Sequence, residues 1–391
     1  MTKPRLNIGL IGSGYMGQVH AEAYQRVKLL YQDLPVAPVL YGVADVDQAS
    51  ADAAAQRFGA EKGFGDWRAL VTDPQVDVVD ITTPNMLHFD MAMAAIDAGK
   101  HVYCEKPLAL TLEQAEQMTA AAQQAGVKTF VAFNNVKTPA AMLAKQLIEA
   151  GEIGELTRFR GTFDQGFFCD PTLPFSWRCL RSQAGSGSLG DLGSHVISVA
   201  QYLMGGMQQV CGQEQTFHSH RPVPSAGSGY ASKVDMATAE MKEVENEDQF
   251  QCLVSFDSGA GGVIESSRIA AGKIFGCSWE ITGTKGTIIN DGERFNELQV
   301  FKFDDPKPER GFKTLYAGSQ VPQYAAFFGF DFGGGGLGYF DVKVIETYDM
   351  LMAMCGKTEA FPDFAFGLDN QRILDAMEQS LVSKSWQTVK R

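Results

Sequence analysis

Basic residues are in short supply in this chain, where 33 Lys and Arg stand against 46 Asp and Glu for a formal net charge of -13. A nucleic-acid partner calls for a basic surface that displaces counterions, so this balance argues against one and favours a small molecule. Long apolar runs are missing as well: no stretch approaches the roughly 20 apolar residues that span a bilayer. The amino end runs straight into a strand without the charged, apolar and small-residue order of an export signal, so neither membrane nor export is expected. Cysteine offers no framework. The seven residues Cys104, Cys169, Cys179, Cys211, Cys252, Cys277 and Cys355 are odd in number and include no C-x-x-C spacing, which fits reduced thiols in the cytoplasm. Of six histidines only His218 and His220 lie close together, with no cysteine or acidic cluster beside them. They read as a solvated loop, and no metal is expected.

What is present is dominated by the first strand and turn. An apolar run from Leu6 to Ile11 feeds into Gly12, Ser13, Gly14, Tyr15, Met16 and Gly17, after which Met16, Val19, Ala23 and Val27 recur at helical spacing. Strand, glycine turn and helix in that order predict a dinucleotide site: Gly12 for the tight turn, Gly14 for close approach of the pyrophosphate and Gly17 for helix packing. The next strand, Val39 to Ala44, ends at Asp45, where an acid accepts ribose hydroxyls; it lies further from the glycines than the roughly 20 residues usual for this fingerprint. No Arg or Lys follows to welcome a 2′-phosphate, so NAD is expected over NADP. Asp45 as a helix N-cap is a second reading, compatible with the first.

Strand and helix alternate from there. Val76 to Thr82 is a buried strand leading to Thr83, Pro84 and Asn85, and His101 to Cys104 is a short strand ending in Glu105, Lys106 and Pro107. Lys106 therefore sits at the carboxyl end of a parallel strand, where ligands of such sheets bind; a solvated charge is the alternative. At 391 residues the chain is expected to form two domains. The first, 1–134, is a doubly wound α/β domain. The second, 135–391, has an α+β pattern with a large, mostly antiparallel sheet and a last helix from Asn370 to Ser383 that packs back on the body.

In the second domain Asp191 and His195 stand four apart at the start of a helix, so a carboxylate and an imidazole can share one face. Imidazole suits proton movement near neutral pH. The residues alone also fit a helix-start acid with a buried histidine that it satisfies.

GLIGSGYMG, TPN with His88, E-K-P at Glu105 to Pro107 and GSGSLGDLGSH ending at His195 together resemble the Gfo/Idh/MocA oxidoreductase family. The resemblance implies a catalytic set of Lys106, Asp191 and His195, a Lys106–Pro107 peptide that is often cis, and a homodimer or homotetramer. It places Glu105, Lys106, Thr83, Pro84, Asn85 and His88 beside the cofactor. Asn135 and Lys137, expected to bind substrate with Lys106, Asp191 and His195, stand where the family often has arginine, and Ser198 where an acid is common. Asp164, Trp177 and Arg178 lie in a segment resembling members that act on pyranoses, anhydrosugars and cyclitols; Asp164 and Arg178 could bond hydroxyls, while Trp177 could be a sugar platform or core packing. The implied activity is oxidation of a secondary sugar or cyclitol hydroxyl. A glycosidase working through transient oxidation and a sugar-sensing regulator are the alternatives. The stretch Tyr324 to Tyr339, with its run Gly333 to Gly336, reads as an aromatic loop near substrate or at a subunit contact.

Overall fold

Short apolar strands, each followed by a helix with one buried face, build the amino-terminal sheet. They are β1 (Arg5–Ile11), α1 (Tyr15–Leu30), β2 (Ala37–Ala44), α2 (Gln48–Phe58), β3 (Lys62–Phe64), α3 (Trp67–Thr72), β4 (Val78–Ile81), α4 (His88–Asp97), β5 (His101–Cys104), α5 (Leu112–Ala125) and β6 (Thr129–Val131). The structure, a computed structural model, describes residues 3–225, 232, 234–294, 296–330 and 337–391. The six strands pair in parallel in the order β3-β2-β1-β4-β5-β6. Strand order reverses between β1 and β4, and the crevice outside their carboxyl ends is where such sheets take ligands.

Local chemistry sets the helix ends. Thr111 caps α5 by accepting from the Gln114 amide at 3.2 Å, and Gly126, with φ at 66°, ends it. Asp47 caps α2 through the Ser50 amide at 2.7 Å. The cap is thus Asp47, and Asp45 remains at the strand end. Ala115, Met118 and Ala122 of α5 join Ile81, Val102 and Val131 in one buried cluster, each large apolar side chain contributing about 1.5–3 kcal/mol.

The chain then forms α6 (Pro139–Glu149), β7 (Leu156–Asp164), the short α7 (Arg181–Ala184), a π-turn (Leu189–Gly193) and α8 (Ser194–Met204). Strands follow: β8 (Met207–Gln215), β9 (His220–Pro222), β10 (Met241–Glu243), β11 (Gln249–Phe256), β12 (Gly261–Ser267), β13 (Gly276–Gly283), β14 (Gly286–Asn290), β15 (Glu297–Lys302) and β16 (Lys313–Tyr316). Helices α9 (Tyr339–Met354) and α10 (Phe364–Ser383) and β17 (Gln387–Thr388) complete it. A nine-stranded sheet runs β16-β15-β14-β13-β7-β12-β11-β8-β17. Among the described residues only β7 and β12 pair in parallel within it. His220 opens β9, which pairs with β10.

Compact units do not follow the single boundary expected near Asn134. One comprises Met1–Lys137 with Pro322–Asp369, the other Thr138–Val321 with Asn370–Arg391. The carboxyl-terminal stretch rejoins the nucleotide unit because α9 packs on α1, where Asp341 pairs with Arg26 and the Tyr348 ring stacks on Tyr31 at 4.0 Å. Tyr324 is buried and its hydroxyl donates to the Lys137 carbonyl, while Tyr339 opens α9. These ends of the expected aromatic loop are therefore built into the fold, and its 331–336 portion, including the glycine run, lies outside the described residues. Among the described residues no helix is long and apolar enough to cross a membrane.

Candidate active site

On the first unit the glycine turn joins β1 to α1. Gly12 has φ at 98°, in the left-handed region, and a Cβ there would crowd Thr82. At Gly17 a Cβ would overlap the Gly12 carbonyl oxygen, whereas one at Gly14 would meet nothing. Gly14 is the N-cap of α1 and brings no side chain to its amide groups, and the first turn carries no acid. Those amides and the positive helix end are free to hold an anion, so the turn fits a pyrophosphate. Thr82, which no motif marks, braces the turn by donating at 3.0 Å to the Ile11 and Gly12 carbonyls. Tyr15 is exposed beside the Phe340 ring at 6.3 Å, and Met16 is half-buried. Asp45 accepts from the Ser13 amide at 3.0 Å and from its hydroxyl, fixing the carboxylate at the turn.

Thr83, Pro84 and Asn85 follow β4, leading to buried His88. Its two ring nitrogens face the Pro107 carbonyl at 2.9 Å and the Thr83 carbonyl at 3.0 Å. Burial lowers its pKa, and these carbonyls only partly offset that. His88 thus ties the T-P-N turn to the E-K-P turn. The Lys106–Pro107 peptide is cis. Lys106 is half-buried, and its amide donates to the Glu105 carboxylate at 3.1 Å.

Behind that turn lies a charged network that local sequence gave no sign of. Glu105 Oε1 faces His20 Nε2 at 3.0 Å and Lys343 Nζ at 3.4 Å, while His20 Nδ1 faces both Asp80 oxygens at 3.0 Å. Tyr24 donates to Asp80 at 2.7 Å, and Glu346 receives both Tyr103 at 2.7 Å and Lys343 at 2.5 Å. Burial would raise the Glu105 pKa, but Lys343 and then His20 outweigh it and hold the carboxyl well below its usual range. For His20 burial acts downward, and Asp80 with its hydrogen bonds overcomes it, so the imidazole titrates above its ordinary value.

Asn134, Asn135 and Lys137 lie on a buried single turn after β6. The Asn134 amide donates to the Tyr339 hydroxyl, and Lys137 pairs with Asp349 at 2.7 Å.

The second unit carries Asp191 on the π-turn and His195 on the first turn of α8. The Ser194 amide bonds five residues back to the Leu189 carbonyl; this underwinding brings residues four apart nearer to one line than an α-turn does. Arg178 Nε lies 3.6 Å from Asp191 Oδ2, and its guanidinium covers the Trp177 ring at 4.3 Å. The Phe163 ring packs against His195 at 5.6 Å and Phe275 at 5.2 Å. Asp164 ends β7, its carboxyl raised by burial and by Glu265. Asp191 with Arg178 and Trp177, and His195 with Phe163, thus lie on neighbouring turns of this unit.

Residues 6–133 match the oxidoreductase family with an NAD-binding Rossmann fold, and residues 142–289 match the GFO/IDH/MocA C-terminal domain. The chain belongs to the Gfo/Idh/MocA oxidoreductase family. Levoglucosan dehydrogenase of Pseudarthrobacter phenanthrenivorans is 39% identical over 97% of each chain. A crystal structure of an NAD binding oxidoreductase from Klebsiella pneumoniae is 64% identical, with a TM-score of 0.93 over 99% of this chain and 100% of that one. Levoglucosan dehydrogenase in complex with NADH and levoglucosan matches at 38% identity and a TM-score of 0.92, covering 99% and 100% of the two chains. The cofactor is NAD, since the amino-terminal match is to an NAD-binding Rossmann fold and levoglucosan dehydrogenase is matched as its NADH complex; the open glycine turn and the carboxylate of Asp45 at its edge fit that group.

Proposed function

We propose that the protein is an NAD-dependent dehydrogenase that oxidises a secondary hydroxyl of a sugar, anhydrosugar or cyclitol to a ketone. The observation that carries this reading is the presence of Lys106, Asp191 and His195 together in a chain that matches levoglucosan dehydrogenase over 97% of both sequences. NAD supplies the hydride acceptor. Gly12 to Gly17 and the amide groups of α1 bind its pyrophosphate, Asp45 its ribose hydroxyls, and Thr83, Pro84, Asn85, His88 and Glu105 border its reactive end.

His195 takes the proton from the substrate hydroxyl as general base. Lys106 donates a hydrogen bond to the same oxygen and stabilises the negative charge that develops on it. Asp191, with Arg178 beside it, orients the neighbouring hydroxyls and His195. Trp177 and Phe163 offer apolar faces to the C–H side of the ring, and Asp164 and Asn135 add hydroxyl partners. Lys137 acts at one remove, because its ammonium is committed to Asp349 and places the Asn135 turn.

NADH formation at 340 nm with NAD and a panel of levoglucosan, myo-inositol, scyllo-inositol, glucose and simple glycosides tests the reading. Turnover of at least one polyol supports it. Silence across the panel with NAD binding intact would overturn it, and release of free sugar without net NADH would replace it with the glycosidase alternative.

A further inference from the structure

The turn that carries Asp191 and His195 is held from far away in the sequence. Glu247 is buried, 1% exposed. Its Oε2 accepts from the Gly187 amide at 2.8 Å, its Oε1 from the Leu189 amide at 2.7 Å, and its backbone carbonyl from the Ser188 amide at 3.1 Å. One residue therefore satisfies three successive amide groups at the mouth of the helix. Backbone approaches backbone so closely that a Cβ on Gly187 would overlap the Glu247 carbonyl oxygen, which accounts for a glycine in G-S-G-S-L.

A local cap would be the simpler way to end such a helix, since a Ser or Asp side chain satisfies an exposed amide at the N-cap. Ser188 occupies that position and makes no capping bond. A buried carboxylate is a costly substitute unless it does more than terminate a helix. The same segment also grips the Arg178 turn. Asn246 Nδ2 donates to the Arg178 carbonyl at 2.9 Å, the Glu245 amide donates to the Cys179 carbonyl at 2.9 Å, and Arg268 joins Asp248 at 2.9 Å while reaching the Asn246 carbonyl at 3.1 Å. Arg178 and Asp191 meet because both of their turns hang on residues 245–248.

We propose that Glu247 is the positioning residue for Asp191 and His195, and that the segment 245–248 is a bracket setting their alignment with Arg178. The proposal rests on the reading that Asp191 and His195 act on the substrate hydroxyl. Small displacements of reacting groups are expensive in rate: misplacement by about 1 Å can cost about a hundredfold. Glu247→Gln replaces one of the two carboxylate acceptors with an NH2 that must face an amide donor.

The test compares wild type and E247Q as folded full-length protein, with ¹⁵N-histidine spectra in which His195 is assigned from H195N. The expected result is displaced His195 ring resonances, a kcat lowered at least tenfold, and an unchanged Kd for NAD by fluorescence. His195 resonances coincident with wild type in folded E247Q, or an unchanged kcat, would overturn the proposal, because a merely structural cap lowers Tm without moving the ring. Glu247→Asp carries the same comparison if E247Q does not fold. If wild type oxidises nothing in the panel, the dehydrogenase reading falls and the His195 resonances alone decide the role of Glu247.

Discussion

Glu378 makes stability depend on pH in a direction that can be worked out. It lies in the part of α10 that belongs to the second unit. Burial pushes its carboxyl up from 4.5 to about 7; Arg181 pulls it down, and Glu247, Asp375 and Glu214 push it further up. A carboxyl raised in the folded state favours folding in its protonated form. Its contribution is fully present below about pH 4.5, where both states are protonated, and is lost as pH rises through about 7. The full shift corresponds to an upper bound of roughly 3 kcal/mol. Gln matches the protonated acid in shape and cannot ionise, so Glu378→Gln should be nearly neutral at pH 4.5 and stabilising by up to about 3 kcal/mol at pH 8. Urea unfolding of the two proteins from pH 4.5 to pH 8, followed by a probe in the second unit, measures the difference. Equal stability differences at both ends, or a variant less stable than wild type at pH 8, would refute the reasoning.

Three further outcomes follow from the geometry. Lys106→Met and His195→Ala should each lower kcat by about a hundredfold or more, the usual range for a positioned acid-base group or oxyanion donor, with NAD binding retained by fluorescence titration. Asp45→Ser removes the carboxylate that meets the Ser13 amide and hydroxyl; kcat/KM with NAD should fall while the ratio of NADP to NAD use rises, measured by paired initial rates with the two cofactors. Lys343→Met strands Glu105 and Glu346 beside each other without their shared cation, a loss of about 3–5 kcal/mol, and the double variant with Glu346→Gln should recover part of it in denaturant unfolding.

Features whose cause is local could be read from the residues. Gly12 needs glycine for its own φ and Gly17 for a contact five residues back; alternating apolar strands and capped helices announce the parallel sheet, and the four-residue spacing of Asp191 and His195 falls on two consecutive turns. Strand β8 escaped because only Met207 and Val210 among its nine residues are buried, leaving no alternation to see. Helix α9 escaped for the opposite reason. It is buried on most sides, and Asp341, Lys343 and Glu346 are buried with it, so neither an apolar stripe nor a polar face marks it. Its charges make sense only beside partners more than 230 residues away, Arg26, Tyr103 and Glu105. Glu247 is the same case, an acid among the acids of V-E-N-E-D whose role is set by amides 58 to 60 residues earlier. In both units the residues that touch substrate are expected to sit in recognisable turns, while the residues that fix those turns are buried ions from distant segments. Substitutions that look innocuous in sequence should therefore act from outside the motifs, at Lys343 through stability and at Glu247 through the alignment of Asp191 and His195.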